Sequence, residues 1–272
     1  MVVVTLPCIN RSTEDYELGD PGKFEVASLH TMPRIAYAAV HVVADPVENN
    51  NPSIDAAIDW EATINYRRYV WSLGLGVAEA MDTAQRGMGV NWENSLELVK
   101  RSVDAAREFQ IENGGALLAC GAGTDHLEPS PNISVDDVIN AYEEQCHAIE
   151  SAGGRIILMA SRALAMAASS PDDYLKVYER ILSQVKEPVI IHWLGEMFDP
   201  ALKGYWGSDD HWTGMETCLK VIAGKAEKVD GIKISLLDSK KEIAMRNNLP
   251  AGVRMYTGDD FNFPELIAGD DT

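Results

Sequence analysis

An α/β fold on a parallel sheet, closing toward a (β/α)8 barrel, is predicted by three features of the 272-residue sequence. Apolar, β-branched runs alternate with helical segments seven times, at roughly 35–40 residues per unit, as in parallel sheets covered on both faces. No run is followed by G-x-G-x-x-G or G-x-x-x-x-G-K-[ST], which removes the main support for an open nucleotide-binding sheet. The reactive side chains Asp82, Asp125, His126, His192, Lys233 and Asp259 fall in or just beyond strand C-terminal ends, the face where barrels carry their sites.

Taken in order, residues 1–33 mix a short apolar start with Gly, Pro and charge and read as an N-terminal arm laid over a barrel domain at 34–272. The first strand spans 35–43 with His41 inside it, and Asp45-Pro46 stops it. Asp59 is placed to cap a helix that runs to the break at Gly74. A second strand at 75–81 ends in Asp82-Thr83-Ala84-Gln85-Arg86-Gly87, and Asn91 opens a helix to about Phe109. The third strand, 116–121, leads through Ala122-Gly123-Thr124-Asp125-His126 to a helix from Ser134 that Gly153-Gly154 ends. Strands at 156–160, 188–193, 229–235 and 253–256 complete the set, with helices over 172–184 and from Asp238.

Lys233 stands in the middle of the sixth run, Val229-Asp230-Gly231-Ile232-Lys233-Ile234-Ser235. Full burial disfavours an ammonium and lowers a lysine pKa by up to roughly 3–5 units from about 10.4. The resulting neutral amine attacks carbonyls, so one reading is a Schiff-base lysine. The other places Lys233 near the strand end, snorkelling or paired with a carboxylate. His192 in its apolar strand is either a packed core histidine or a proton relay. His41 and Glu79 are either hydrogen-bonded core groups or part of the site floor. Asp125-His126 reads as a helix-preceding turn, and Asp259-Asp260 partly as a turn and cap for the segment from Pro264.

Gly231-Ile232-Lys233, Thr257-Gly258-Asp259-Asp260, Cys120-Gly121-Ala122-Gly123-Thr124 and Pro188-Val189-Ile190-Ile191, in this order, resemble the dihydrodipicolinate synthase and N-acetylneuraminate lyase family of class I aldolases. The resemblance covers about residues 34–270. It implies a Schiff base between Lys233 and a 2-oxo acid or sugar-derived carbonyl compound, for carbon–carbon cleavage, condensation or dehydration. Departures are as informative. Where the family has Gly-Thr-Thr-Gly-Glu to hold the oxo acid's carboxylate, this chain has Met81-Asp82-Thr83-Ala84-Gln85. His192 takes the place of the family's proton-relaying tyrosine, and Ser161-Arg162-Ala163 that of its Pro-Tyr-Tyr turn. The implied site has Lys233 and His192 as catalytic residues and Asp82, Thr83, Gly258 and Asp259 at the substrate, without metal or cofactor. Arg86 or Arg162 would supply charge for an anionic substrate, unless each is held in a surface salt bridge. The chain is expected to be an outlying branch with a rewritten pocket.

The net charge of −19 argues against nucleic acid or an anionic membrane as partner and leaves a small carbonyl compound. Cys8, Cys120, Cys146 and Cys218 form no C-x-x-C pair, so reduced thiols are expected. The start lacks a basic n-region, and no run of about 18 apolar residues occurs, so a cytoplasmic homo-oligomer is expected. Residues 261–272 are too few for an eighth strand and its flanking helices. Either further sequence or another chain closes the barrel, and the cost of an open edge favours further sequence. Two rival readings remain. One is a divalent-metal isomerase, lyase or hydrolase using His41, Glu79, Asp82, Asp125, His126 and His192; the other is a binding or regulatory barrel without catalysis.

Overall fold

The computed structural model describes residues 2–22, 33–51, 55–128 and 130–269. The N-terminal segment is a hairpin of β1 (Val2–Pro7) and β2 (Thr13–Leu18), paired antiparallel from Val2↔Leu18 to Pro7↔Thr13. Nearly every residue in it is exposed, so the expected covering arm is instead a separate two-stranded sheet; residues 23–32 lie outside the described part. The turn depends on Arg11 at φ 67°, with Arg11 N–H donating to Cys8 O (2.9 Å).

The main sheet begins with β3 (Tyr37–Ala39), followed by helix α1 (Trp60–Ser72), β4 (Gly76–Glu79), α2 (Trp92–Asn113), β5 (Leu118–Ala122), α3 (Val135–Ala152) and β6 (Arg155–Leu158). It continues through α4 (Arg162–Ala167), α5 (Pro171–Leu182), β7 (Val189–Leu194), α6 (His211–Gly224), β8 (Val229–Ser235), α7 (Ser239–Asn248), β9 (Arg254–Thr257) and α8 (Phe263–Ala268). Strands β3 to β9 are parallel and lie side by side in chain order. Local chemistry sets the helix ends. Asp59, Asn91 and Ser134 each accept a backbone N–H from the first turn, and Gly114 and Gly153 end α2 and α3 in the left-handed region. Helix α4, capped by Ser161, and helix α6, capped by Asp210, lie in stretches where no helix is predicted.

The first strand is shorter than 35–43 because α1 takes over its backbone groups. Arg67 Nη1 donates to His41 O (2.6 Å), Val43 N–H donates to Thr63 Oγ1 (2.9 Å), and Asp59 N–H donates to Val43 O (2.9 Å). His41 is consequently exposed, not part of a buried strand or a site floor.

Two apolar layers follow from the two strand faces. Outward residues such as Val77, Ile191, Ile232 and Ile234 pack under the helices, whereas Ala78, Met81, Ala119, Ile157, Met159 and Ile190 form an inner cluster joined by Tyr37, Ala39 and Tyr256. Tyr37 belongs to the first strand of this sheet and Tyr256 to the last, yet their rings meet edge-on at 6.0 Å. The sheet therefore curls until its two ends share one interior, an incomplete barrel. Below that contact Asp230 accepts from Tyr256 Oη (2.7 Å) and pairs with Arg155 (3.5 Å) and Arg254. Arg34, ahead of β3, reaches Ala268 O at the end of α8 (3.4 Å). Among the described residues no helix is long and apolar enough to cross a membrane, and all four cysteines are free.

Glu79 is a core group. Its carboxylate takes a bidentate pair from Arg67 Nε and Nη2 (both 2.9 Å), the Ser102 hydroxyl (2.5 Å) and the Ala80 N–H (2.9 Å), with Arg67 and Glu79 fully buried. The pair joins α1, α2 and β4. Removing one buried partner strands the other charge, a loss of about 3–5 kcal/mol. Glu79→Gln is expected to lower unfolding stability by that amount in urea denaturation; a loss under about 1 kcal/mol would contradict this role.

Candidate active site

Register brings the central residues together. His192 pairs with Lys233, and Lys233 with Tyr256, in one row across β7, β8 and β9. Register partners in a parallel sheet share a face, and Tyr256 lies in the inner cluster, so Lys233 and His192 point into the curl. The helix-packed side is taken by their neighbours Ile191, Ile232 and Ile234.

Electrostatics ties the row to the turn after β4. Burial pushes the Lys233 pKa down, and the carboxylates of Asp82 and Asp260 oppose that shift. Burial pushes the Asp82 carboxyl up, against the charges of Lys233 and Arg86. His192, 1% exposed, is held well below the usual histidine range by desolvation and then by the Lys233 charge, so its imidazole is neutral. Its Nε2 lies 3.3 Å from Ser235 Oγ, and its buried Nδ1 has no hydrogen-bond partner among the described residues.

Gly258 closes this end of β9 over the lysine. Its N–H donates to Ile234 O (2.7 Å), and a Cβ there would stand 2.9 Å from Lys233 Cε and would also collide with Ser235 Oγ. Only a residue without a side chain lets the backbone lie this close to the amine's stem. Asp259 is buried, with both oxygens engaged in the turn into α8: they accept from Phe261 N (2.7 Å), Asn262 N (2.7 Å) and Asn262 Nδ2 (2.9 Å). The exposed neighbour Asp260 is the one whose charge reaches Lys233. Thr83 lies exposed on the short 3-10 turn Asp82–Ala84.

The arginines expected to meet an anionic substrate are occupied. Buried Arg86 donates to Asp125 (2.7 and 3.0 Å), Gly121 O (2.5 Å), Ala80 O (3.2 Å) and Gln145 Oε1, and stacks over Trp92. Desolvation raises the Asp125 pKa, but the hydrogen bonds and charge of Arg86 outweigh it and hold that carboxyl low. Arg162 pairs with Asp199 (2.5 Å). His126 joins the Arg86 network through Gln145 (2.8 Å). The residues of the metal reading are thus dispersed, with His41 exposed, Glu79 on Arg67, and Asp125 and His126 around Arg86 and Gln145. Among the described residues no three His, Cys, Asp or Glu side chains converge.

Ser235, Tyr256 and Asp260 complete the neighbourhood; sequence reasoning singles out neither Ser235 nor Tyr256 and reads Asp260 only as part of the Gly258 motif and its turn. Ser235 had a signal, since a residue two positions beyond Lys233 shares its strand face. Tyr256 had none, because its place depends on pairing between strands.

In fold the chain is similar to 2-keto 3-deoxygluconate aldolase from Picrophilus torridus, with TM-score 0.57 and 17% identity over 88% of this chain and 72% of that one. It is also similar to dihydrodipicolinate synthase from Agrobacterium tumefaciens str. C58 (TM-score 0.57, 15% identity, 84% and 67% covered). For dihydrodipicolinate synthase from Oceanobacillus iheyensis the values are 0.52, 14%, 81% and 59%, so the chain spans less than two thirds of that relative's length. The likeness to the dihydrodipicolinate synthase family therefore holds at the level of the fold. No curated protein matches the chain in sequence. A family model described as "Protein of unknown function (DUF993)" matches residues 4–272, and the chain belongs to that family.

Proposed function

We propose that this protein is a Schiff-base lyase of the aldolase kind, in which Lys233 captures a small carbonyl compound inside a (β/α)8 barrel whose first seven strands are β3 to β9. The observation that carries this reading is the inward-facing row His192–Lys233–Tyr256, with the Lys233 pKa lowered by burial. The neutral amine attacks the carbonyl carbon, a proton is delivered to the resulting hydroxyl, water leaves, and a protonated imine remains. That imine draws the electron pair of the adjacent carbon–carbon or carbon–hydrogen bond. The neutral imidazole of His192, fixed at Nε2 by Ser235, accepts and returns the protons these steps need. Asp82 and Thr83 on the turn after β4, with Gly258 and the Asp259 turn opposite, border the substrate.

Two outcomes test the mechanism. With carbonyl compounds and borohydride, wild-type protein and His192→Ala should gain a substrate-sized mass, and Lys233→Ala should not. His192→Ala should also turn over more slowly by about 10²–10⁴-fold. Full turnover by Lys233→Ala without an adduct in any variant would remove the imine from the reaction.

The charge state of the lysine gives an independent check. A folded-state pKa below that of a free lysine leaves more unprotonated amine at neutral pH, so imine trapping should rise with pH through a midpoint below about 10.4. A limiting amine-directed reagent at pH 7, read by peptide mapping, should mark Lys233 ahead of Lys240 and Lys241. Equal labelling would assign Lys233 a structural role.

A further inference from the structure

The charges around Lys233 bear on which carbonyl compounds the site admits, a question that rests on the Schiff-base reading above. Two carboxylates, Asp82 and Asp260, lie close enough to act on the amine. The neighbouring arginines already hold carboxylates of the chain, although the charges of Arg86 and Arg162 also reach Asp82. Arg86 is enclosed by Asp125, Gln145 and two backbone carbonyls, and Arg162 is on Asp199. Arg155 and Arg254 share Asp230 at the opposite end of the strands. Of the other polar groups beside the lysine, Ser235 Oγ lies against His192 Nε2 and the Tyr256 hydroxyl donates to Asp230, while His192 is neutral and its buried Nδ1 lacks a partner among the described residues. A substrate carboxylate would therefore meet the like charges of Asp82 and Asp260, which already compensate the protonated imine that forms at Lys233. A hydroxyl group meets what it needs: carboxylate acceptors, and a buried ring nitrogen whose unsatisfied hydrogen bond it can complete.

We infer that this site takes a neutral, hydroxylated carbonyl compound, such as a short ketose or hydroxyketone, in preference to a 2-oxo acid. Asp82 and Asp260 accept hydrogen bonds from its hydroxyl groups, His192 Nδ1 pairs with the hydroxyl nearest the carbonyl, and the imine forms with loss of water as above. Among the described residues, the selection arises from repulsion of the anion more than from a dedicated contact to the neutral substrate.

Dihydroxyacetone and pyruvate, both three-carbon ketones, are suited to the test. Each is incubated at equal concentration with the full chain and borohydride, which delivers hydride to the imine carbon and leaves a stable secondary amine. Adducts are weighed by intact mass and normalised to trapping on Nα-acetyl-lysine under the same conditions. The expected result is a Lys233 adduct with dihydroxyacetone at least about tenfold above pyruvate. Asp82→Asn should shrink that ratio several-fold while Asp82→Glu keeps it. Because Asp82 also opposes the lowering of the Lys233 pKa, the ratio and not the absolute yield is the readout. Should Asp82→Asn fail to fold by circular dichroism, Asp260→Asn on the exposed turn serves instead. A pyruvate adduct on Lys233 equal to or above that of dihydroxyacetone, or a ratio indifferent to both substitutions, overturns the substrate inference and leaves the imine reading standing. Absence of any Lys233 adduct with either ketone overturns both.

Discussion

A parallel strand covered on both faces offers a lysine only two directions, under the helices or into the curl, and this constraint organises the molecule around β8. The helix side is filled by Ile232 and Ile234, which are fully buried in the outer layer. Lys233 takes the inner side by strict alternation, and pairing then brings His192 and Tyr256 to the same level. Gly258 allows the next strand to close over the amine's stem. The fold and the placement of the amine thus depend on the same register: a shift of one residue would turn the amine outward and an isoleucine inward.

Four arginines of the sheet and its helices are held by three carboxylates from neighbouring elements, two of these arginines buried and two partly exposed. Arg67 on α1 meets Glu79 on β4, Arg86 meets Asp125 after β5, and Arg155 and Arg254 meet Asp230 on β8. Such pairs cost desolvation and add little net stability, but they penalise arrangements that separate them. In this chain they clamp successive βα units. They also leave Lys233 without a direct ion-pair partner among the described residues, with Asp82 and Asp260 acting on it through charge alone. That difference between the paired arginines and Lys233 adds to the inward-facing row in support of reading the latter as the reactive group.

The imidazole of His192 illustrates how burial and position combine. In water it would titrate near neutrality; here desolvation first, and the Lys233 charge whenever that amine is protonated, keep it uncharged, and Ser235 fixes one ring nitrogen. A neutral ring with one nitrogen held and the other open suits proton exchange with a bound molecule better than charge compensation.

How much of this was legible beforehand follows from the range of each interaction. Strand and helix alternation, the caps at Asp59, Asn91 and Ser134, the glycine end of α3, and the run Val229–Ser235 are written within about ten residues of sequence, and the structure places them there, whereas α2 runs past the expected Phe109 to Asn113. The short β3 was not legible, because Thr63 and Arg67 of α1 compete for the backbone of 41–43 from 20 and 26 residues away. Nor was the hairpin at 2–18, whose strands lie almost wholly exposed on both faces. The sequence by itself determined that a lysine would lie in the sixth apolar strand of a parallel α/β chain. Only the tertiary structure decided that it faces inward beside His192, Tyr256 and two carboxylates, and that Arg86 is already occupied, because those facts depend on register and charge pairing between segments distant along the chain.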